Sequence, residues 1–275
     1  MRPMLSLFLL VACGTPDLAV SIPFAATVDG APFACGETYD GIGTTGVSIE
    51  ALDFRFYVYD VALVTEEGDV VPVALEQDGR WQYEDVALID LEDGSAGCET
   101  GSPDQHAALT GTVPDGDYHG LSFQLGVPAD LNHLDAATAP APLNDAGLWW
   151  AWTSGYKYAR IDVATPNNPS FFFHLGATDC SGDAEAGYAC ALDNLAPVTL
   201  DEFHLGEATA TIDLAAFYAG SDLEAAPDFV TDFVSGCMAF AGDPECEPLF
   251  ERLGMPWEGV TDPPEQTFFT VTDAQ

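Results

Sequence analysis

The sequence predicts an all-β protein, an antiparallel β-sandwich or barrel with long loops and short helical turns, stapled by disulfides. Three observations predict this class. Aromatic and β-branched runs of strand length recur along the chain, turn-forming Gly, Asp and Pro residues separate them, and six cysteines follow an export signal. The 275 residues are 48% hydrophobic, which is enough apolar surface to bury a full core.

The N-terminal leader is typical of a bacterial lipoprotein signal. A single positive charge at Arg2 precedes an apolar run over 4–11, and small residues lead to Cys13. Because the run is far shorter than the ~20 residues that span a bilayer, it indicates a signal that is removed rather than an anchor. Cleavage before Cys13 would leave that cysteine to carry the lipid. An ordinary secretion signal with a chance cysteine is the alternative interpretation.

This leader sets the expected domain organisation and location. We expect the signal over 1–13, a tether over 14–23 and one β domain over 24–275, with 223–257 as a disulfide-closed appendage. The protein would be exported and lipid-anchored in the periplasm or at the outer membrane. Gly14, rather than an aspartate, follows the lipidated cysteine, which gives no reason to expect retention at the inner membrane.

Strand signals fill the domain. The run over 54–64 is aromatic and β-branched, and a turn at 66–69 leads into a second run over 70–75, which predicts a hairpin. Further strands are expected over 85–91, 107–113, 118–127, 149–163, 170–175, 198–205 and 208–214. Short helical turns are expected over 214–218 and 248–253, and long loops over 128–148 and 179–194.

The cysteines beyond the leader are even in number, which in an oxidising compartment indicates disulfides rather than a thiolate metal cluster. They are Cys35, Cys98, Cys180, Cys190, Cys237 and Cys246. Sequence alone does not choose among the possible pairings. The short spacings 180–190 and 237–246 favour two local bridges, which would leave Cys35 and Cys98 for a long-range bridge.

The charge balance is strongly acidic. Lys and Arg total 6 against 45 Asp and Glu, for a formal net charge of −39. Such a surface repels nucleic acid and anionic lipid headgroups, and it attracts cations or a basic protein. Most of these carboxylates are expected to serve solubility. A calcium-binding module is a weaker interpretation, because the sequence has no EF-hand loop or Gly-Asp nonapeptide repeat.

Motifs of the common enzyme classes are absent from the sequence. It contains no HExxH zinc motif, no GxSxG nucleophile, no Walker loop, no GxGxxG followed by a helix and no CxxCH haem attachment. The sequence therefore gives no indication of an enzyme. A surface β-sandwich that acts as a metal-free interaction or adhesion module remains an alternative function, and it predicts that His133 and His174 lie far apart.

Two histidines have a distinctive context. His133 lies in a polar loop just after a strand, where a rigid sheet can present a side chain. His174 ends an aromatic run, and in a strand it would point to the face opposite Phe171 and Phe173. The other histidines, His106, His119 and His204, are expected in solvent-exposed or turn positions.

An aromatic cluster over 149–160 also carries two of the few basic residues. An ideal strand would place Trp150, Trp152 and Arg160 on one side, unless Gly155 bends the strand and resets the alternation. A large aromatic core capped by cation–π contacts is the structural interpretation of this cluster.

Taken together, the order and number of these motifs resemble the MbnP-like family, the four-cysteine proteins of the metallo-mystery pair system. The resemblance covers most of 24–275. The matching segments are 35–36, 53–58, 81–82, 87–90, 126–128, 132–133, 150–152, 155–158, 174–176, Cys180, 236–238 and 244–246.

The resemblance implies a periplasmic or surface copper-binding protein with a di-haem partner of the MauG and cytochrome c peroxidase group. The partner would oxidise one tryptophan to kynurenine, so the protein would be a substrate and not an enzyme. His133 and His174 become the expected copper ligands. Trp150 or Trp152 is the expected modified tryptophan.

Overall fold

A computed structural model describes residues 17–225, 234–257, 259–260 and 262–274. In chain order its strands are β1 (Asp17–Val28), β2 (Ala31–Pro32), β3 (Thr38–Ile42), β4 (Val47–Thr65), β5 (Val70–Pro72), β6 (Ala74–Leu75), β7 (Gln82–Tyr83), β8 (Val86–Asp90), β9 (Ala108–Pro114), β10 (Tyr118–Leu125), β11 (Trp149–Ala151), β12 (Gly155–Ala164), β13 (Phe172–Gly176), β14 (Thr178–Asp183), β15 (Gly187–Leu192), β16 (Ala196–Asp201), β17 (Ala208–Asp213), β18 (Gly236–Cys237) and β19 (Phe269–Asp273). The helices are α1 (Leu214–Phe217), a 3₁₀ turn (Tyr218–Gly220) and α2 (Glu247–Arg252). None of the helices in these described ranges has the length and apolar character needed to cross a membrane.

The strands form two main sheets that pack face to face, as the sequence predicts. The smaller sheet has the order β19-β17-β1-β9-β6, and the larger has the order β16-β10-β4-β12-β13-β18, with β3, β5 and β8 also pairing with the long strand β4. Most pairings are antiparallel, but β1 pairs with β17, and β13 with β18, in parallel. These parallel partners are distant in sequence, so no tight hairpin turn fixes their direction.

Aromatic rings fill the space between the sheets. Phe24 of β1 lies 5.8 Å from Phe56 of β4 and 5.8 Å from Phe123 of β10, measured between ring centroids, and Phe123 lies 5.0 Å from Phe269 of β19. All these pairs meet edge to face, the arrangement that the ring quadrupoles favour. Burial of each side chain contributes roughly 1.5–3 kcal/mol.

The outer face of the larger sheet is covered as well. The long loop over 126–148 crosses it, and the Tyr57 hydroxyl donates to the carbonyl of Pro142 (3.0 Å) while the Tyr156 hydroxyl donates to that of Leu143 (2.5 Å). Leu143 is fully buried. The predicted loop therefore has internal packing, and it seals the sheet face on which the candidate site lies.

Two stretches differ from the prediction. Residues 149–163 were expected as one strand, but they form two strands, β11 and β12, that fold back on each other through a turn at Gly155 (φ +76°). Residues 179–194 were expected as a loop, but they contain the hairpin β14–β15. Its turn is fixed by the Asp183 carboxylate, which accepts from the backbone N–H groups of Glu185 and Ala186. A side-chain turn of this kind needs no aromatic or β-branched strand signal.

A third stretch also differs: the run over 70–75, expected as one strand, divides into β5, which pairs with β4 in the larger sheet, and β6, which pairs with β9 in the smaller sheet. The remaining expected strands and helical turns are confirmed, with shifted ends. The first strand begins at Asp17, so residues 17–23, which the sequence assigns to the tether, lie in a strand. Within 223–257, β18 joins the larger sheet, and Leu249 and Phe250 of α2 are buried in the core. This segment is thus part of the sandwich over the residues described.

All six cysteines beyond the leader are paired. The bridges are Cys35–Cys98, Cys180–Cys190 and Cys237–Cys246, which confirms the pairing that the short spacings favour. The predicted lipidation site, Cys13, lies outside the described residues.

Candidate metal centre

The candidate site begins with the alternation of side chains along β4 and β12. Phe54 and Phe56 point into the core, so Asp53 and Arg55 of β4 point to the outer face of the sheet. The register continues this outer row across the neighbouring strands. Arg55 lies opposite Asp90 of β8 on one side and opposite Arg160 of β12 on the other, and Arg160 lies opposite His174 of β13. Ionisable groups from four strands therefore meet on one buried surface.

These groups form a continuous chain of ion pairs. The guanidinium of Arg55 donates to Asp53 (Nη2 to Oδ2, 2.5 Å) and to Asp145 of the covering loop (Nη1 to Oδ2, 2.7 Å). Arg160 connects Asp53 (Nη1 to Oδ2, 3.1 Å) to Asp162 (Nε to Oδ2, 2.7 Å). Pairing of this kind offsets the high cost of taking charges out of water.

His174 ends the chain. Its Nε2 lies 3.1 Å from Oδ1 and 3.3 Å from Oδ2 of Asp162. Because an ionised carboxylate only accepts hydrogen bonds, the neutral ring carries its proton on Nε2 and donates it to Asp162. Nδ1 then carries the lone pair. This atom is buried and has no hydrogen-bond partner among the described residues.

The electrostatics agree with this assignment. Burial lowers the pKa of His174 and outweighs the opposing hydrogen bond and charge of Asp162, which keeps the imidazole neutral at neutral pH. Burial also acts against ionisation of Asp162, but its hydrogen bond to His174 and the charge and hydrogen bond of Arg160 outweigh burial and hold the pKa of Asp162 below the usual range. A neutral imidazole oriented by an ionised carboxylate is the common arrangement of a metal-binding histidine.

Trp150 lies beside His174. The two rings meet edge to face with centroids 6.2 Å apart, and Phe240 covers the other side of Trp150 at 5.6 Å. Gly176 makes room for the indole, since a Cβ there would come within 3.2 Å of Trp150 Cζ3 and 2.8 Å of the carbonyl oxygen of Tyr156. The structure therefore brings His174 and Trp150 together, with Phe172 stacked near His174 on the same face as predicted.

His133 occupies a different setting. It lies half-buried in the loop 126–148, with Nδ1 3.4 Å from the carbonyl oxygen of Trp152 and Nε2 3.8 Å from Sγ of Cys190. Its ring stacks on Tyr188 at 4.9 Å, and both line a cleft of about 280 Å³. Burial lowers the pKa of His133 and outweighs its hydrogen bond to Trp152.

The neighbouring residue, Asn132, ties this loop to the β11–β12 hairpin. Its Oδ1 accepts from the backbone N–H of Tyr156 (3.0 Å), and its Nδ2 donates to the carbonyl of Ser154 (3.3 Å). A Cβ on Gly155 would come within 2.0 Å of the Asn132 carbonyl oxygen, so only glycine permits this approach.

Each histidine thus contacts a different residue of one hairpin. His174 contacts the Trp150 ring and His133 contacts the Trp152 backbone, while the Trp152 side chain is 51% exposed and packs on Trp149 at 5.1 Å. His174 does not line the cleft of His133. Among the described residues, the close groups of three metal-binding side chains all contain disulfide-bonded cysteines and neither histidine.

The sequence reasoning did not identify the charged row that orients His174. Its signal was present, because Asp53 and Arg55, and likewise Arg160 and Asp162, are oppositely charged residues two apart within largely apolar segments. In a strand such residues share one face. Two oppositely charged pairs of this kind indicate a buried ionic row when both strands lie inside a sheet.

Fold and site together define a class of disulfide-stapled β-sandwich in which a carboxylate orients a buried histidine beside a tryptophan. The MbnP family model matches residues 17–239, and the chain belongs to the MbnP family. Among solved structures it is similar to MbnP from Methylosinus trichosporium, with a TM-score of 0.82 and 29% sequence identity over 95% of this chain and 100% of that one. A comparison with curated proteins finds no match.

Proposed function

We propose that this protein is a copper-binding lipoprotein of the periplasm or outer membrane, and that it is the substrate of a di-haem peroxidase-like partner which oxidises one tryptophan to kynurenine. In this role the protein is not an enzyme. His174 is the first copper ligand, His133 is the second, and Trp150 is the oxidised residue, ahead of Trp152.

The observation that carries the copper assignment is the buried, unpartnered Nδ1 of His174. Its other ring nitrogen is fixed by Asp162, so the lone pair has a set direction and nothing from the described chain to bind. Leaving such an atom buried and unpaired costs about 1–3 kcal/mol, and a metal ion would recover that cost. Imidazole is a good ligand for copper, which heads the affinity order of the divalent first-row metals.

His133 suits the second position for a different reason. It is neutral at neutral pH, half-exposed, and held by Asn132 against the hairpin that also carries Trp150. Its Nε2 makes only long contacts, with the Asn132 amide nitrogen (3.5 Å) and with Sγ of Cys190 (3.8 Å). It can therefore bind an ion that enters from solvent without first losing a strong hydrogen bond.

Trp150 is favoured over Trp152 by its place beside His174. Oxidation breaks the indole C2–C3 bond, and each of these carbons gains an oxygen atom from water. The electrons pass to the haem partner, which is re-oxidised by peroxide, and hydrolysis then releases C2 as formate. The product has an aniline nitrogen and a ketone, which are donor groups that the indole lacks, next to the first ligand.

The acidic surface supports an electrostatic encounter with the partner. A net charge of −39 would steer the protein toward a basic patch on the haem protein and raise the local concentration of cations. The exposed ring of Phe240 packs on Trp150, and the exposed ring of Trp152 packs on the neighbouring Trp149, so both offer an apolar contact for docking near Trp150.

A Cu(I) titration against a chromophoric chelator tests the ligand assignment. We expect His174→Ala to weaken binding more than about 100-fold, a larger loss than the typical loss for an outer-shell residue, and His133→Ala to weaken it less. His106→Ala is the matched control, because that ring is committed to the Leu88 carbonyl (2.6 Å) and to Trp81. Unchanged affinity in both His174→Ala and His133→Ala would refute the assignment and favour the metal-free interaction module.

Mass spectrometry of the protein from its native host tests the oxidation. Peptide mapping should find one residue with one carbon fewer and one oxygen more than tryptophan, at position 150. The Trp150→Phe variant should lack the modification, whereas Trp152→Phe should retain it. Unmodified tryptophan throughout the native protein would contradict the proposed role as a substrate.

A further inference from the structure

Two histidines outside the site described above also lie together. His119 is in β10 and His204 is in the turn after β16, and their ring centroids are 4.9 Å apart with the planes at 67°. Both side chains are partly exposed. The sequence gives no sign of this pair, because 85 positions separate the two residues and each alone is typical of a surface histidine.

The fold fixes both backbones. Strands β10 and β16 are antiparallel neighbours, and Gly120 lies opposite Asp201, which places the residue before Gly120 next to the residues after Asp201. Phe203 is fully buried and anchors the turn. The carbonyl of His204 accepts from the N–H groups of Glu207 and Ala208, both at 3.0 Å, so the turn that presents this ring is closed by backbone hydrogen bonds.

Each ring has a carboxylate beside it. Asp117 Oδ1 lies 3.4 Å from Nε2 of His119, and Glu202 Oε2 lies 3.9 Å from Nε2 of His204. The two carboxylate side chains are 92% and 89% exposed, so they can turn toward an ion between the rings at little desolvation cost. As they stand, no three of these four side chains have ligand atoms that all lie within 4.8 Å of one another, so the exposed carboxylates would have to turn inward to complete a site with the two imidazoles.

The rings of His119 and His204 are free of strong hydrogen bonds to groups outside this cluster, over the residues described. Over the described residues, no hydrogen bond joins the ring of His119 or His204 to the backbone or to another uncharged group, and their charged neighbours are the two carboxylates. His106 is the contrasting case, since its Nδ1 contacts the Leu88 carbonyl at 2.6 Å and its ring lies flat on Trp81.

We propose that His119 and His204, assisted by Asp117 and Glu202, form a second metal site that binds a divalent transition ion, Cu²⁺ in preference to its neighbours in the first row. Mixed imidazole and carboxylate ligands suit Cu²⁺, whereas Cu⁺ prefers softer sulfur donors. The strongly acidic surface raises the local concentration of the divalent ion. This surface site does not depend on the His174 assignment.

A Cu²⁺ titration in a variant that lacks both ligands assigned above tests the proposal. The background is the full chain with His133→Ala and His174→Ala, followed by calorimetry and electron paramagnetic resonance. We expect a binding event with superhyperfine coupling from two nitrogens. Adding His119→Ala or His204→Ala should weaken it at least about 10-fold and remove one nitrogen from the coupling. Because both side chains reach solvent, circular dichroism should show an unchanged fold.

Control variants separate this site from adventitious binding. His106→Ala in the same background should leave affinity and spectrum unchanged, and carboxylates elsewhere on the surface would give a signal without nitrogen coupling. Equal affinity with and without His119 and His204, or the absence of nitrogen coupling in the background variant, would overturn the proposal. Neither result bears on the copper ligands of the proposed function, since His133 and His174 are absent from every sample.

Discussion

His174 and His133 are supported by the protein in contrasting ways. His174 is 6% exposed, and its hydrogen bond to Asp162 connects it to a buried chain of ion pairs, so that the connected groups span three strands. His133 lies in a loop, half-exposed, between a tyrosine ring and a disulfide. The ring of His174 is oriented before any ligand arrives, whereas the ring of His133 lies at a cleft open to solvent and can adjust its position. A site that pairs one fixed and one adaptable ligand can be both selective and accessible.

The buried row should dominate stability on the His174 side. Arg55→Ala removes the cation shared by Asp53 and Asp145, which takes from Asp145 its paired cation and leaves Asp53 with Arg160 alone, so we expect a loss of about 3–5 kcal/mol in the free energy of unfolding. Arg80→Ala is the control, because its ion pair with Asp104 is exposed and worth about 1 kcal/mol or less. Urea denaturation measures both. Equal losses of unfolding free energy in the two variants would show that the buried ion pairs stabilise the fold no more than an exposed ion pair does.

We expect copper affinity to depend more on the orientation of the His174 ring than on nearby negative charge alone. Asp162→Asn keeps the size of the side chain but removes the acceptor-only group that fixes the ring, so we expect copper affinity to fall about 10–100-fold. Asp193→Asn, in the cleft of His133, is the matched control and should leave affinity nearly unchanged. Chelator competition measures both constants. A loss of the same size in Asp193→Asn would indicate a general electrostatic effect instead of orientation.

The smallest expected effect concerns Asp90 of β8, at the end of the outer row farthest from His174. It is a dependence of the free energy of unfolding on pH. Burial, and next the charge of Glu92, raise the pKa of Asp90 to about 8, although Arg55 acts in the opposite direction. The folded state therefore holds a proton that the unfolded state releases near pH 4. The stability that this proton contributes is fully present below the pKa of Asp90 in the unfolded chain, and it is lost as the pH rises toward the pKa of Asp90 in the folded protein. The free energy of unfolding should fall by about 1 kcal/mol between pH 6 and pH 7.

Asp90→Asn should remove that part of the pH dependence, because an amide resembles the protonated acid and does not titrate. Asp104→Asn, at an exposed carboxyl, should leave the dependence as it is in the wild type. Thermal unfolding across pH 5 to pH 8 compares the three proteins. An unchanged slope in Asp90→Asn would place the titrating group elsewhere.

The sequence was most informative about elements with a local signal. The hairpin of β4 and β5, the face of His174 opposite Phe171 and Phe173, and the two short disulfides all follow from spacing and alternation. The motifs also identified the family. Each of these features depends on residues that are close in the chain.

Features that depend on distant residues could not be predicted in the same way. The sequence does not show that β12 lies between β4 and β13, so the contact of Asp162 with His174 and the link from Arg160 to Asp53 were not foreseen. The sequence is compatible both with one straight strand over 149–163 and with a bend at Gly155, so it does not establish the turn that separates Trp152 from Tyr156 and Tyr158. The pairing of His119 with His204 likewise needs the register of β10 and β16.

The most direct test of the central claim is the protonation state of the His174 ring, observed by nitrogen-15 NMR of the full chain. Without metal we predict that Nε2 carries the proton and Nδ1 does not. On addition of Cu(I), which is diamagnetic, the Nδ1 resonance should shift strongly while Nε2 keeps its proton and its coupling to Asp162. A His174 ring protonated on Nδ1, or an Nδ1 resonance that does not shift at saturating Cu(I), would contradict the account.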